Sequence, residues 1–310
     1  MTESHGRPAG PETPRIAVDL LGGDEAPAVV VDGALRALDA DPELQLHLVG
    51  PREVADEVLA ACAAGDRDRC TVELVRDGVG MTDAPSRAMR RDTTVRAAVA
   101  AVAEGRAHAL VSAGMSGAVV TAAALGLGRL PGVRRPALAA LLPAAANPVV
   151  LLDVGASPEL SANVLLRYAA LGAGYATRVL GLAVPRIGLL SIGSEPGKGD
   201  RVRRAADEAL RANQPGYIGT VEGGAVPLGG PVDVVVTDGF TGNVLLKGIE
   251  GAFTLAGGVA PPRQVPRAAA LLGVGGTVVV CHGAATGTDL ASGIALATRL
   301  RQNNLVEVYG

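Results

Sequence analysis

A mostly parallel sheet covered by helices on both faces is the fold class this sequence predicts, and three observations carry it. Short apolar runs alternate with longer Ala/Leu/Arg-rich stretches, the order that joins parallel strands through crossover helices. Several runs end in small residues, glycine and a polar group: Asp19-Leu-Leu-Gly-Gly-Asp24, Ser112-Ala-Gly-Met-Ser-Gly117, Ser191-Ile-Gly-Ser-Glu195, Asp238-Gly-Phe-Thr-Gly-Asn243 and Cys281-His-Gly-Ala284. Such junctions put exposed backbone N–H groups of a helix start beside a strand end, where α/β proteins build ligand sites. The third observation is composition: 48% hydrophobic residues with 42 glycines and only 2% aromatics require close-packed layers of Ala, Val and Leu.

Taken in order, the chain begins with fourteen residues holding His5, Pro8, Gly10, Pro11 and Pro14 and no apolar segment, expected to be a disordered leader. Residues 15–310 are expected to form one α/β domain. Strands are predicted at Arg15–Leu20, Leu44–Val49, Thr71–Val75, Ala107–Ser112, Ala137–Leu142, Val149–Val154, Arg186–Ile192, Val232–Thr237 and Thr277–Cys281. Between them, Ala28–Leu38, Val54–Ala63, Ser86–Ala103, Ala162–Val179, Arg201–Ala212 and Leu290–Arg301 read as helices, and a further helix opens with Thr241-Gly-Asn243. Pro and Gly between Gly257 and Pro266 predict a loop.

Bulk properties narrow the function classes. A formal charge of −3 gives no support for wholesale nucleic-acid binding, and no apolar run is long enough for a confident membrane span. Cys62, Cys70 and Cys281 are odd in number and follow no ligand spacing, so neither a disulfide framework nor a metal site is expected, and a cytoplasmic address follows.

Five ordered motifs resemble one family, the bacterial PlsX phosphate acyltransferases. They are Ile16-Ala-Val-Asp19 with Gly22-Gly-Asp24-Glu-Ala-Pro27; Val111-Ser-Ala-Gly114 with Gly117-Ala118; Leu151-Leu-Asp-Val-Gly-Ala156; Ile192-Gly193 with Gly197-Lys-Gly199; and Asp238-Gly-Phe-Thr-Gly-Asn243. Cys281-His-Gly283 adds to them, and the resemblance spans nearly everything from Arg15 to Arg301. It implies an isocitrate/isopropylmalate dehydrogenase-like fold, a homodimer, no metal or organic cofactor, and transfer of a fatty acyl group from acyl carrier protein to inorganic phosphate. A nicotinamide dehydrogenase of the same fold is disfavoured, because Gly22-Gly23 lacks the glycine spacing of a dinucleotide site.

That chemistry needs fixed cations and N–H donors for phosphate, and donors aimed at the oxyanion formed on attack. Lys198, between Gly197 and Gly199 and after Gly193, is the first candidate phosphate ligand, because glycines let backbone approach an anion. Asn243, with Gly242, Gly239 and Asp238 before it, is either an orienting amide or a plain helix N-cap. His282 is either a donor to the oxyanion or departing thiolate, or a strand-closing residue; Cys281 points to the opposite face and reads as core. Asp19 and Asp24 flank Gly22-Gly23, and since a carboxylate repels phosphate they are expected to hold the turn or orient a substrate group. Ser112, Gly114, Ser116 and Gly117 complete that strand end. Arg90 and Arg91 occupy the place of the family's basic pair and are candidates for phosphate or carrier contact; Arg129, Arg134, Arg135, Arg201, Arg203 and Arg204 are either steering charges or solvated.

Departures from the family pattern leave alternatives open. Met115-Ser116 stands where the family has Asn-Thr, and Gly155-Ala-Ser-Pro-Glu-Leu-Ser-Ala-Asn163 replaces a more polar run. The stretch between Lys247 and Thr277 lacks the family's apolar helical segment, which argues against peripheral membrane binding. A specialised-pathway enzyme with another acyl chain or acceptor, and a noncatalytic scaffold for acylated carrier protein, are the two rival readings.

Overall fold

The computed structural model describes residues 13–63, 65–80, 82–84, 86, 92–255 and 268–303. The expected leader, apart from Thr13 and Pro14, and the expected loop at 257–266 lie outside them, as do Arg90 and Arg91. In chain order the strands are β1 (Arg15–Asp19), β2 (Gln45–Gly50), β3 (Cys70–Leu74), β4 (Ala109–Ser112), β5 (Ala137–Leu142), β6 (Val149–Leu152), β7 (Ile187–Leu190), β8 (Tyr217–Val221), β9 (Val234–Val236), β10 (Ala268–Leu272) and β11 (Thr277–Cys281). The helices are α1 (Ala28–Ala40), α2 (Arg52–Ala61), α3 (Thr94–Ala103), α4 (Ser116–Gly126), α5 (Ala162–Leu180), α6 (Arg201–Asn213), α7 (Ala225–Leu228), α8 (Gly239–Leu255) and α9 (Gly287–Gln302).

All eleven strands form one sheet in the order β3-β2-β1-β4-β11-β10-β5-β6-β9-β7-β8. Pairing is parallel from β3 to β11 and again from β6 to β8; the β11–β10, β10–β5 and β5–β6 pairs are antiparallel. Strand direction therefore reverses between the two parallel groups. The C-terminal ends of β1, β4 and β11 lie along one rim of the sheet, and those of β6, β9 and β7 along the opposite rim.

Alternation along the strands sorts side chains into two cores. Ile16 and Val18 belong to the core covered by α1, α2, α5, α6 and α9, whereas Ala17 belongs to the one covered by α3, α4, α7 and α8. Both faces are covered, which is why the strands read as continuous apolar runs. Two strands escaped the sequence reading. β10 is Ala-Ala-Ala-Leu-Leu, a helix former by propensity, yet it pairs on both sides in mid-sheet. β8 holds Gly219 at φ +108° and follows Pro215-Gly216, so its period-two pattern is short and broken. The stretch between Lys247 and Thr277 is also fuller than expected: α8 runs on to Leu255 and β10 enters the sheet.

Candidate active site

The candidate residues fall into two groups, one on each rim. On the first, Asp19 ends β1 buried and accepts from the Ser112 hydroxyl at 2.8 Å and from the Leu21 N–H at 3.2 Å. Burial pushes its carboxyl above the ordinary carboxylate range, against the hydrogen bonds that lower it. Ser112 Oγ in turn accepts from Gly114 N–H at 3.0 Å. Gly22 fits only as glycine: a Cβ there would stand 2.7 Å from Gly114 N and 2.8 Å from Ser112 Oγ. Asp24 N–H donates to Gly283 O at 2.8 Å, tying the β1 turn to the β11 turn. Asp19 thus bonds within the turn, the first of the two duties considered for it.

His282 sits exposed at that rim, and its Nδ1 accepts the Ala284 N–H at 3.1 Å. An accepting Nδ1 puts the neutral ring's proton on Nε2, facing out. Cys281 is buried in the core as expected, and burial pushes its thiol up to about 12. Ser116 and Gly117 open α4 behind Met115, which packs partly into the core and provides no cap for the helix.

The second rim gathers Gly193, Lys198 and Gly199 after β7, Asp238 and Gly239 after β9, Gly242 and Asn243 in α8, and Asp153 after β6. Gly197 and Gly199 adopt φ of +83° and +96°, the left-handed region that glycine enters without strain, so Lys198 is held between two obligatory glycines. The stem of Lys198 lies over Gly193, its Cγ 3.1 Å from where a Cβ would stand. Beside it the Ser191 hydroxyl is buried with no hydrogen-bond partner among the described residues. An unsatisfied buried hydroxyl beside a lysine suits an anion, while the first turn of α6 is already capped by Asp200, whose Oδ1 accepts the Arg203 N–H at 2.7 Å.

Arg203, from α6, bridges the strand ends. Its guanidinium donates to Leu190 O at 3.0 Å, Asp200 Oδ2 at 2.6 Å, Asp238 Oδ2 at 2.5 Å and Thr241 Oγ1 at 3.2 Å. Asp238 also accepts from the Thr241 N–H at 2.8 Å, making it the residue that caps α8. Burial would raise the Asp238 carboxyl, but bonds from Thr241 and Arg203 outweigh that and hold it below the ordinary carboxylate range.

Helix α8 begins at Gly239, two residues before its expected start, so Asn243 is no N-cap: it lies in the second turn and donates Nδ2–H to Val154 O at 3.0 Å. The first turn of α8 presses on the Asp153 loop so closely that a Cβ on Gly242 would stand 2.0 Å from Asp153 O. Asp153 is fully buried and accepts four backbone N–H bonds, from Leu138, Gly155, Ala156 and Ser157, between 2.7 and 3.1 Å. Even so, burial pushes its carboxyl up to about 6.

No hydrogen bond or ion pair among those described joins the two rims. Among the described residues no group of three or more His, Cys, Asp or Glu is arranged to hold a metal. Asp153, Ser191, Arg203 and Thr241 were missed as site residues. Asp153 and Ser191 both stand at strand ends before glycine, which was a usable signal; Arg203 was grouped with the scattered surface arginines, and only its spacing from Asp200 hinted at a cap-linked position.

This fold is shared with several solved enzymes. A phosphotransacetylase from Streptococcus pyogenes superposes with a TM-score of 0.66 at 17% identity, covering 95% of this chain and 94% of that one. A 4-hydroxythreonine-4-phosphate dehydrogenase from Klebsiella pneumoniae superposes with a TM-score of 0.59 at 14% identity, covering 96% of this chain and 100% of that one. These define the class, a doubly covered α/β fold of the phosphotransacetylase type. The sequence goes further. Residues 14–263 match the fatty acid synthesis protein family. A phosphate acyltransferase of Thermobifida fusca is 42% identical over 96% of this chain and 89% of its own length, and one of Heliobacterium modesticaldum is 37% identical over 94% and 95%. The chain belongs to that family, the PlsX phosphate acyltransferases its motifs resemble.

Proposed function

We propose that this protein transfers a fatty acyl group from the thioester of acyl carrier protein to inorganic phosphate, releasing acyl phosphate for phospholipid synthesis. The observation that carries this reading is the anion cradle of the second rim: Lys198 between two positive-φ glycines, beside the unsatisfied Ser191 hydroxyl. A phosphate oxygen seated there attacks the thioester carbonyl carbon; the C–O bond forms, the C–S bond breaks, and the departing thiolate takes the proton that the hydrogen phosphate gives up. Arg203 and Asp238 hold the two strand ends in register, and Asn243 is assigned to fixing the Val154–Gly155 turn. The family resemblance motivates a homodimeric working form, and it is part of this proposal. Among the described residues no helix is long and apolar enough to cross a membrane.

The test is mass spectrometry of acyl phosphate, trapped with hydroxylamine, after incubating the protein with acylated carrier protein and inorganic phosphate. A phosphate-dependent product supports the transferase; carrier binding with no product would give the scaffold reading precedence. Lys198→Ala should raise the KM for phosphate about tenfold or more, the value of one charge-assisted hydrogen bond, with Tm unchanged because the side chain is exposed. An unchanged phosphate dependence would remove Lys198 from the site.

A further inference from the structure

A groove of about 400 Å³ runs along α8, lined by Pro227, Val244, Leu245, Gly248, Ile249, Ala252 and Phe253. No charged side chain lines it. Its position relative to the candidate site is fixed by the helix period. Thr241, Leu245, Gly248 and Ala252 are spaced by four, three and four residues and share one face of α8. The stripe therefore starts at the Thr241 hydroxyl bonded to Arg203 and Asp238, and ends at Phe253, away from the strand ends. Asn243 projects from the other flank, toward Val154. Val244 and Phe253 leave much of their apolar surface exposed.

We propose that this groove seats the acyl chain of the thioester, with the carbonyl at the Thr241 end and the methyl end toward Phe253, so that its length sets the chain preference. The inference rests on the acyl-transfer reading and adds the place of the chain. Three features select a straight alkyl chain: an apolar lining without charged side chains, a helix face that begins at Thr241 beside Arg203 and Asp238 on the second rim, and a length that suits one. From Val244 to Phe253 a helix advances about 14 Å. A zigzag of C–C bonds of about 1.5 Å advances about 1.3 Å per carbon, so the groove accommodates about ten carbons. Gly248 lies midway, exposed, and a Cβ added there meets nothing within 4 Å. A larger side chain at this position would enter the groove without disturbing the core, and replacing an exposed helical glycine favours the helix.

The experiment measures kcat/KM for carrier-protein thioesters from butanoyl to hexadecanoyl in the wild type and in Gly248→Ala, Gly248→Leu and Gly248→Phe. Each methylene seated in an apolar groove is worth about two- to fourfold. The dodecanoyl-to-butanoyl ratio should therefore fall by about tenfold or more in the Leu and Phe variants, with an intermediate effect for Ala and the optimum moving to shorter chains. Butanoyl, which ends before Gly248, is the reference within each variant. Binding of the fluorescent fatty acid cis-parinarate is followed in parallel and should weaken in the same order. If no thioester yields acyl phosphate while cis-parinarate affinity follows the series, the groove assignment stands and the transferase reading fails. Chain-length profiles and cis-parinarate affinities that are the same in all four proteins would overturn the groove. So would unchanged profiles accompanied by loss of a dimer on gel filtration, which would give the groove to a second copy of the chain.

Discussion

Removing Arg203 should cost the fold about 3 kcal/mol, and the figure can be assembled from its partners. The Asp200 pair contributes little, because Asp200 is 56% exposed and surface pairs are worth about 0–1 kcal/mol. The Asp238 pair is different, with side chains 16% and 15% exposed. A charge-assisted hydrogen bond at such a site is worth about 1.5–3 kcal/mol, and the bond to Leu190 O adds one more to a carbonyl that is otherwise buried. The full cost of about 3–5 kcal/mol for orphaning a buried charge is not reached, since Asp238 keeps the N–H and hydroxyl of Thr241. Arg203→Ala, Asp238→Asn and the double variant would be unfolded in urea and followed by far-UV circular dichroism, since the chain has no tryptophan. A coupling energy of about 1–3 kcal/mol is expected from the cycle. The pH dependence has a defined sign. Asp238 titrates below its ordinary 3.8 in the folded state, so its contribution is fully present above that value and is lost as pH falls through the lowered one. The gap between wild type and Arg203→Ala should therefore close in acid. A loss below about 1 kcal/mol at neutral pH, or strict additivity in the cycle, would refute the bridging role.

Three further outcomes follow from the same geometry. Asp153, raised to about 6 when folded, binds its proton more tightly than in the unfolded chain, so its contribution to stability should decline by up to about 3 kcal/mol as pH rises from 3.8 to 6; a carboxyl whose infrared or NMR titration falls below 4 would contradict this. Gly242→Ala should destabilise by about 1–3 kcal/mol or more, because its Cβ would enter the Asp153 carbonyl, and an unaltered Tm would mean that α8 sits farther from the loop. His282→Ala is expected to leave both kcat and the KM for phosphate unchanged, since His282 closes the β11 turn through Ala284 on the rim opposite Lys198 and Thr241; a lowered kcat would bring His282 back to the reacting thioester.

Local chemistry determined a large share of this protein in advance. The β-branched runs at Arg15–Asp19 and Thr277–Cys281 read as buried strands, and Gly197 and Gly199 around Lys198 marked a turn that needs positive φ. The motifs that carry the family were legible for the same reason: close backbone approach demands glycine at fixed offsets. Tertiary structure alone decided the rest. Ala268–Leu272 is helix by propensity and strand by burial, because two neighbouring strands satisfy its backbone. Arg203 resembles Arg201 and Arg204 in sequence and differs only in facing Asp238 across the gap between β7 and β9. The strand reversal between β11 and β6 sends one set of motifs to each rim, an outcome of non-local pairing. Sequence fixes which residues pack and turn through short-range sterics and hydrophobicity; which rim they reach depends on contacts between residues more than a hundred positions apart.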